Sequence, residues 1–449
     1  MKLSVKEKVG YSFGEFAGSG LWQALMFFLP VFYTDVVMLP AAATATLFLV
    51  VRFFDALNDP IMGFYADRTK SRWGKFRPYL LFGAIPLGGS TVILFSTPAL
   101  TGYSKLAYAY GSYFLFLISY TVVMVPFNSL MGVVSNDSAE RTSLSSYKFV
   151  FAYAAGLTVQ GLLIPLVEKF GGGNQAQGYQ YAMIGLGGVV VCALLIAYLT
   201  SKERVQPIQT DNNSLIEDLK DLKGNKPWLS LLFTSVFLLI YIGLRSSTVL
   251  YYFQYYVGRK DLASLFMVSG TIAVLLGVLP TQYLSKKIGK RRLFQYCMLI
   301  IILSLGINYF ANPENIILIF TTHLLFSFAS GPTMPLVFAM LADTADYSEQ
   351  ITGRRATGLI YAASTFSQKT GVAIGSFLTM VILSSFGYAA NVLQTEHALL
   401  GIRLSMTILP AIIAVGCLIS MNFYKLKPLK VPTVEPDKSA SNLVASVSE

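Results

Sequence analysis

Charged residues, cysteines and histidines are all scarce in this chain. Only 13% of its 449 residues are charged, whereas a soluble globular domain carries about 25%. So few charges cannot cover a water-exposed surface of this size, which excludes a water-soluble enzyme, and no nucleophile–base pair is evident. The two histidines, His323 and His397, lie far apart. The three cysteines lie inside apolar runs without paired spacing and predict neither disulfides nor a zinc site: Cys192, Cys297 and Cys417.

Long apolar runs dominate the composition instead. Apolar residues make up 54% of the chain and aromatic residues 14%. Because a membrane-spanning helix needs about 20 mostly apolar residues, these runs predict an all-α membrane protein with about twelve transmembrane helices. The predicted spans are 10–36, 41–66, 79–97, 105–132, 148–169, 179–200, 227–256, 262–284, 293–311, 315–341, 357–386 and 399–424.

Lysine and arginine cluster on one side of this topology. They are frequent at the N-terminus, after spans two, four, eight and ten, in the central stretch and in the tail. The other side holds only Lys105, Lys169, Arg259 and Lys260. By the positive-inside rule, this predicts a multi-pass protein of a bacterial inner membrane with both termini cytoplasmic. Orientation thereby accounts for the net charge of +11, and nucleic-acid binding is not expected.

The two halves of the chain resemble each other. A basic segment follows both the second span, as "DRTKSRWGK", and the eighth, as "SKKIGKRR". Two similar six-helix halves are the layout of the major facilitator fold, which moves substrate by rocking around a midplane site. The predicted domains are an N-terminal bundle (1–200), a cytoplasmic central loop (201–226), a C-terminal bundle (227–424) and a disordered cytoplasmic tail (425–449).

Charges at the cytoplasmic helix ends suggest a gate. Salt bridges there could hold the cytoplasmic side shut while the outside is open, although the same charges could serve only to fix topology. The candidate gating residues are Asp67, Arg141, Asp346, Glu349 and Arg355.

Ionisable residues inside the second span give the strongest functional signal, because charges within a membrane are costly unless they are paired or hydrated. Arg52, Asp55 and Asp59 are spaced by three and four residues and therefore share one helix face. Asn58 is adjacent, and Pro60 frees a backbone carbonyl. Two carboxylates with amide and carbonyl oxygens suit a sodium ion or a transferable proton. A purely structural Arg–Asp network is the alternative.

Polar residues on three further spans predict a sugar site beside this cation site. Amides and hydroxyls meet sugar hydroxyl groups, and aromatic faces stack on the ring. Taken singly, each of these residues could be a helix-packing contact. Span one provides Glu15, Ser19, Trp22 and Gln23, span four provides Tyr120, Thr121 and Asn128, and span eleven provides Ser364, Thr365, Gln368 and Lys369.

The chain resembles the glycoside–pentoside–hexuronide:cation symporter family of the major facilitator superfamily. The resemblance spans nearly the whole chain and rests on "FYTDVV" (32–37), "DALNDPIMG" (55–63), "SRWGKFRPY" (71–79), "ADTADY" (342–347) and the Lys369 region. It implies uptake of a glycoside coupled to sodium, lithium or protons by alternating access. It also implies a cation site of Asp55, Asn58, Asp59 and Thr121, with Asp55 and Asp59 as sodium ligands, and sugar contacts near Tyr120, Asn128, Lys148 and Lys369.

Departures from the family pattern bear on the substrate. The resemblance implies acidic sugar ligands where this chain has Ser19 and Met124, and an aromatic residue where it has Asn128. Arg245 also appears inside span seven, so that a shared cavity would hold a surplus of cations over acids. This predicts an anionic sugar such as a glucuronide or sulfoquinovose, with Arg52, Lys148, Arg245 and Lys369 among its contacts.

Alternatives to this substrate remain open. Arg245 could merely pair with Glu15 or another acid, and the substrate could be a neutral pentoside or glucoside. A sodium-dependent lipid transporter of the same superfamily is a more distant alternative. The expected partners are the sugar, one monovalent cation (sodium or proton) and the bilayer. No cofactor is expected, and the protein is predicted to function as a monomer.

Overall fold

The computed structural model describes residues 3–135, 137–204, 225–352 and 357–425. This part of the chain is helical and contains no β-strand. Ten of its helices are long and apolar enough to cross a membrane, and an eleventh span results if the helix pair 262–288, bent by 48°, crosses as one. The remaining predicted span, 79–97, lies on the 18-residue helix Arg77–Leu94.

Every predicted span thus falls on a helix, and we number these helices or bent helix pairs α1 to α12. Several begin or end beyond the predicted limits. The bounds are α1 Val5–Val36, α2 Ala41–Arg68, α3 Arg77–Leu94, α4 Gly102–Val134, α5 Ser138–Gly171, α6 Gln175–Thr200, α7 Lys226–Tyr256, α8 Leu262–Val278 with Thr281–Ile288, α9 Lys290–Tyr309, α10 Ile316–Ser330 with Thr333–Thr352, α11 Thr357–Ser385 and α12 Glu396–Met406 with Ile408–Asn422.

Side-chain caps mark several of the helix starts. Ser4 and Glu7 form a reciprocal capping box at the start of α1. Asn174, Asn225 and Thr395 accept hydrogen bonds from backbone N–H groups of the first turns of α6, α7 and α12. These caps satisfy donors that have no intrahelical partner. Within lipid the helices satisfy their remaining backbone groups internally.

The two ends of the bundle differ in charge. The basic end carries the loops after α2 and α8, with Lys70, Arg72 and Lys75 in the first of them. The opposite end carries the α1–α2 and α7–α8 loops. Two π-helical turns, Phe32–Val36 in α1 and Tyr252–Tyr256 in α7, lie at this opposite end in corresponding places of the two halves.

Small residues allow α7 and α11 to pack backbone against backbone. A Cβ atom on Gly375 would lie 2.5 Å from the carbonyl oxygen of Ile240 and 2.7 Å from the backbone nitrogen of Leu244. One on Gly371 would lie 2.7 Å from the carbonyl oxygen of Val236. Small residues have this role at many helix contacts in membranes. The close approach sets the register of α11, and therefore the position of Lys369 two residues before Gly371.

We predict that Gly375→Ala lowers the thermal stability of the purified protein. The added methyl group must push α7 and α11 apart, which costs about 1–3 kcal/mol in an overpacked core. Gly306→Ala is the matched control, because a Cβ atom on Gly306 would meet nothing within 4 Å. Equal melting temperatures for the two variants in the same detergent would contradict the packing described for α7 and α11.

Candidate functional site: a carboxylate pair, its ammonium partner and the adjoining cavity

Asp55 and Asp59 share one face of α2, as their spacing predicts, and α11 provides their cationic partner. The ammonium of Lys369 lies 3.1 Å from an oxygen of Asp55 and also forms an ion pair with Asp59. The Thr121 hydroxyl of α4 lies 3.2 Å from Asp55 Oδ1 and 3.3 Å from Asp59 Oδ1. The Asp55 side chain is 4% exposed and that of Asp59 24% exposed. Three helices therefore build one cluster, and α11 comes from the other half of the chain.

The cluster carries one negative charge more than its ammonium neutralises. Two carboxylates, one ammonium and a hydroxyl oxygen can accept one further monovalent cation or one proton without building up charge. Carboxylate and hydroxyl oxygens are suitable ligands for a hard cation. Asn58, also predicted for this site, is half-buried beside Asp59 and makes no side-chain hydrogen bond to the described residues.

Arg52 does not complete an ion-pair network within α2. Its guanidinium lies 4.9 Å from the ring centroid of Trp22 in a cation–π contact, and the residue is 5% exposed. It forms no salt bridge with Asp55 or Asp59. The partner of both carboxylates is Lys369, a residue for which the sequence predicted a sugar contact.

A cavity of about 400 Å³ adjoins the carboxylate cluster and forms what we call the central cavity. Several residues predicted for the sugar site line it together. Trp22 and Tyr120 lie with ring centroids 6.4 Å apart, and Gln368 Nε2 donates to Ser364 Oγ over 3.3 Å. The polar and aromatic residues that line the central cavity are Trp22, Asp59, Tyr120, Thr121, Asn128, Gln368 and Lys369. Its other lining residues are Met124, Val125, Leu239, Met334 and Val372.

Glu15, Ser19 and Lys148 form a second polar chain that reaches the central cavity through Asn128. The Lys148 ammonium lies 3.1 Å from Glu15 Oε2 and donates to Asn128 Oδ1 over 2.6 Å. Ser19 Oγ donates to the other oxygen of Glu15 over 2.8 Å. Glu15 is therefore paired with Lys148 from α5, and its partner is not Arg245.

Gln23 and Arg245 lie apart from these two groups. Gln23 Oε1 accepts a hydrogen bond of 3.1 Å from Gln160 on α5. Arg245 and Gln160 both line a second cavity. With Arg245 elsewhere, the charged residues in the described wall of the central cavity are one cation and one acid, Lys369 and Asp59, which pair with each other. The predicted surplus of cations is therefore not found among the described residues that line the central cavity.

Several predicted residues cannot be placed. The side chains of Asp67, Asp346, Glu349 and Thr365 are outside the described part of the structure, and so is Arg355. Arg141 is an exposed residue in the first turn of α5. The predicted salt-bridge gate at the basic end therefore stays a prediction.

Asp35 is a buried acid that the sequence reasoning missed. Its side chain accepts hydrogen bonds from the hydroxyls of Tyr255 and Tyr388, and from Gln254 Nε2 over 3.1 Å. Its backbone carbonyl accepts a 2.7 Å bond from Asn391. All of these donors belong to the C-terminal half. The sequence contained a feature that could have identified this acid, because Asp35 is an ionisable residue within the predicted span 10–36 and within the motif "FYTDVV".

The contacts of Asp35 close the opposite end of the bundle. Thr34 and the Tyr251 hydroxyl, 2.7 Å apart, add to this closure. At the basic end, the ion pairs among the described residues join residues of the same half, as in Lys8–Glu140 and Lys290–Asp343. The halves are thus latched to each other at the opposite end, and we call the Asp35 contacts the latch.

Comparison with known proteins places this architecture in one family. Residues 10–428 match the MFS/sugar transport protein family. The chain is 36% identical to the putative glycoside/cation symporter YagG of Escherichia coli K12, over 96% of this chain and 94% of that protein. It is 32% identical to the isoprimeverose transporter of Lactiplantibacillus pentosus, over 98% and 93% respectively.

A solved structure agrees with the fold. A bacterial homologue of the human lysosomal transporter Spinster, in an inward-facing conformation, superimposes with a TM-score of 0.67 at 13% identity, over 95% of this chain and 98% of that one. The resemblance predicted from the motifs is confirmed, and so is the prediction of a transporter and not an enzyme. This chain therefore belongs to the MFS/sugar transport protein family and is a multi-pass sugar symporter of the membrane.

Proposed function

We propose that this chain imports a glycoside together with one monovalent cation by alternating access, and that Asp55 and Asp59 bind the cation. One observation carries the proposal. The carboxylates come from α2 in the N-terminal half, whereas the ammonium that neutralises them comes from α11 in the C-terminal half. Occupancy of the carboxylates therefore affects a contact between the two halves, which is what coupling requires.

Lys369 acts in this proposal as a tethered competitor of the cation. Without the cation, its ammonium occupies the carboxylates and ties α11 to α2. An entering sodium ion or proton neutralises one of the two carboxylates. This weakens the attraction that holds Lys369, so its ammonium can turn toward the central cavity and meet a sugar hydroxyl. Cation binding then favours sugar binding, and by reciprocity sugar binding favours the cation.

The central cavity suits the sugar ring. Trp22 and Tyr120 offer aromatic faces, and Asn128 and Gln368 offer amide groups at its wall. Such a mixture of apolar walls and few convergent polar groups is typical of small-molecule sites. The two charged residues of its described wall, Asp59 and Lys369, pair with each other, which favours a ring without a charge of its own at this position. The same polar residues argue against a lipid as the substrate.

The proposal also covers the orientation of the chain in the membrane, the conformation of this structure and the oligomeric state. The basic end is the cytoplasmic end, which places both termini in the cytoplasm of a bacterial inner membrane. With the latch closed at the opposite end, this structure then corresponds to an inward-facing conformation. The two six-helix bundles rock about the central cavity, and one monomer suffices because both halves of the site belong to a single chain.

A proteoliposome screen tests the proposed function. Uptake of isoprimeverose, methyl β-D-glucoside and methyl β-D-glucuronide is measured under a sodium gradient, a proton gradient, and neither. We expect at least one glycoside to accumulate above its external concentration under one cation gradient only. Equal uptake with both gradients collapsed would refute cation coupling.

We predict that Asp35→Ala opens the latch. The substitution removes the common acceptor of two tyrosine hydroxyls and Gln254, and hydrogen bonds to charged groups contribute about 1.5–3 kcal/mol each. The readout is the labelling rate of a cysteine at Leu39, which is 6% exposed at the same end, with a membrane-impermeant maleimide. We expect an increase of about tenfold or more, since each 1.4 kcal/mol changes an equilibrium tenfold.

Asp261→Ala is the matched control for the latch. Asp261 lies at the same end, but its described partner is Arg259, with an N–O distance of 2.8 Å. The hydrogen bond from Arg259 holds the pKa of Asp261 below its usual value, so the control removes an ionised carboxylate as well. Equal labelling of Leu39→Cys in both backgrounds would contradict the assignment of the latch to Asp35.

A further inference from the structure

A second cavity of about 230 Å³ lies between helices of both halves, apart from the carboxylate cluster. It shares one wall residue, Met334, with the central cavity. Its volume is below the range of about 300–1,000 Å³ that whole-ligand pockets occupy. The cavity therefore suits one substituent of a ligand whose remainder lies in the central cavity.

Arg245 lines this second cavity and has no counter-ion among the described residues. It is 5% exposed, and its guanidinium lies 3.8 Å from the ring centroid of Phe326. Its one hydrogen bond within the described residues joins Nη2 to Nδ1 of His323 over 3.1 Å, and Nε has no partner. None of the salt bridges among the described residues includes Arg245. A buried charge without a compensating charge is costly, and arginine cannot escape by losing its proton.

The hydrogen bonds of His323 show that this residue does not carry a charge that could neutralise Arg245. A guanidinium can only donate hydrogen bonds, so Nδ1 of His323 must be the acceptor. Nε2 then carries the proton and donates to the carbonyl oxygen of Phe266 over 2.8 Å. His323 is thus fixed as a neutral ring, and both of its nitrogens are used. It orients Arg245 without neutralising it.

Several hydroxyl groups line the same cavity as Arg245 and His323. Ser327 Oγ lies 3.4 Å from His323 Nδ1, and Ser246, Thr271 and Ser330 also line the cavity. Thr271 donates to Gln160 over 2.7 Å, which joins α8 to α5. The cavity therefore combines one unneutralised guanidinium, neutral donors and apolar walls, and none of its described lining residues is acidic.

We propose that the Arg245 cavity binds an anionic substituent, a carboxylate or a sulfonate, on the sugar whose ring occupies the central cavity. This inference rests on the proposed function and names the substrate class of the same transporter. Nε and Nη2 form one edge of the guanidinium, and a carboxylate can accept from both in the bidentate geometry typical of arginine. Binding supplies the counter-charge that Arg245 lacks. Arg245 is accordingly the specificity-determining residue for acidic over neutral glycosides.

A matched sugar pair tests this assignment in binding experiments that need no gradient. Calorimetry compares methyl β-D-glucuronide with methyl β-D-glucoside, which differ only in carrying a carboxylate or a hydroxymethyl group. We expect the wild type to prefer the glucuronide, and Arg245→Gln to lose about 10- to 100-fold in glucuronide affinity while glucoside affinity is unchanged. Arg403→Gln is the control, since Arg403 is a span arginine that donates to the carbonyl oxygen of Tyr309 from α12.

Retained glucoside binding shows that Arg245→Gln is folded. If that variant does not fold, Arg245→Lys replaces it and should keep a preference for the acidic sugar, at reduced affinity. A wild type without preference, or an unchanged preference in Arg245→Gln, would overturn the assignment. So would equal stabilisation of the wild type by sodium acetate and by the glucuronide, because the cavity would then hold a free anion. Cation dependence of uptake does not enter these readouts, so the proposed function can fail separately.

Discussion

Asp59→Asn and Asp55→Asn are each expected to abolish concentrative sugar uptake while the protein still inserts and folds. Each substitution is nearly isosteric and removes one negative charge from a cluster that has one charge in excess of Lys369. The remaining carboxylate is then fully neutralised by the ammonium, so no net attraction for a further cation is left. Because accumulation above the external concentration needs the cation gradient, the accumulation ratio in proteoliposomes should fall to about one.

Two comparisons make this result specific. Asp261→Asn removes a carboxylate from the exposed α7–α8 loop and should leave the accumulation ratio unchanged. Exchange of labelled for unlabelled sugar at equal concentrations should survive in the cluster variants, because it needs no net cation movement. Undiminished accumulation by both cluster variants would show that the coupling cation binds elsewhere.

Lys369→Met is expected to tighten binding of the coupling cation by a factor on the order of 100. Its ammonium lies within contact distance of both carboxylates, and a unit charge at 4 Å is worth about 4 kcal/mol at an effective dielectric constant of 20. Part of this is offset because methionine leaves the two carboxylates to repel each other and take up a proton. Net uptake should be lost, because nothing displaces the cation once the site faces the cytoplasm.

Cation affinity of Lys369→Met is measured by tryptophan fluorescence, with sodium titrations at two pH values to include the proton as ligand. Lys369→Arg is the matched control, since it retains the positive charge between the carboxylates. An affinity in Lys369→Met equal to that of the wild type would contradict the role of the lysine as competitor.

Helical periodicity made the carboxylate pair predictable, whereas its partner was not. Asp55 and Asp59 are four residues apart on one helix, so their common face follows from local geometry alone. Lys369 lies more than 300 positions later in the sequence. Its meeting with Asp55 depends on the register of α11 against α7, which the glycine contacts at Gly371 and Gly375 set. No local pattern encodes that register.

The sequence also could not predict which cavity Arg245 lines. The sequence identified it correctly as an unusual charge within a span, but grouped it with every other span cation in one cavity. Position along a helix axis predicts depth in the membrane, and only tertiary packing decides which cavity a face meets. Arg245 faces α8 and α10, so the charge that motivated an acidic substrate lies in a cavity of its own.

The fold itself followed from hydropathy, because continuous apolar runs of about 20 residues that cross a bilayer satisfy their backbone groups as helices. Helix ends and local irregularities did not follow. The π-helical turn that contains Asp35 leaves no trace in composition, and the acid was overlooked because it lies near the predicted end of span one, where an acid is unremarkable. Its role became visible only when Tyr255 and Tyr388 of the other half met it.

Cation entry driven by a sugar gradient is the most direct test of whether Asp55 and Asp59 couple the cation to the sugar. Proteoliposomes are given a steep inward gradient of the best glycoside from the screen and no cation gradient, and entry of sodium or protons is followed with labelled sodium and an internal pH dye. If Asp55 and Asp59 couple the cation to the sugar, sugar entry drives one of these cations inward in the wild type, and neither moves in the Asp55→Asn/Asp59→Asn double variant. Sugar entry without cation entry in the wild type, or equal cation entry in the double variant, would contradict this coupling.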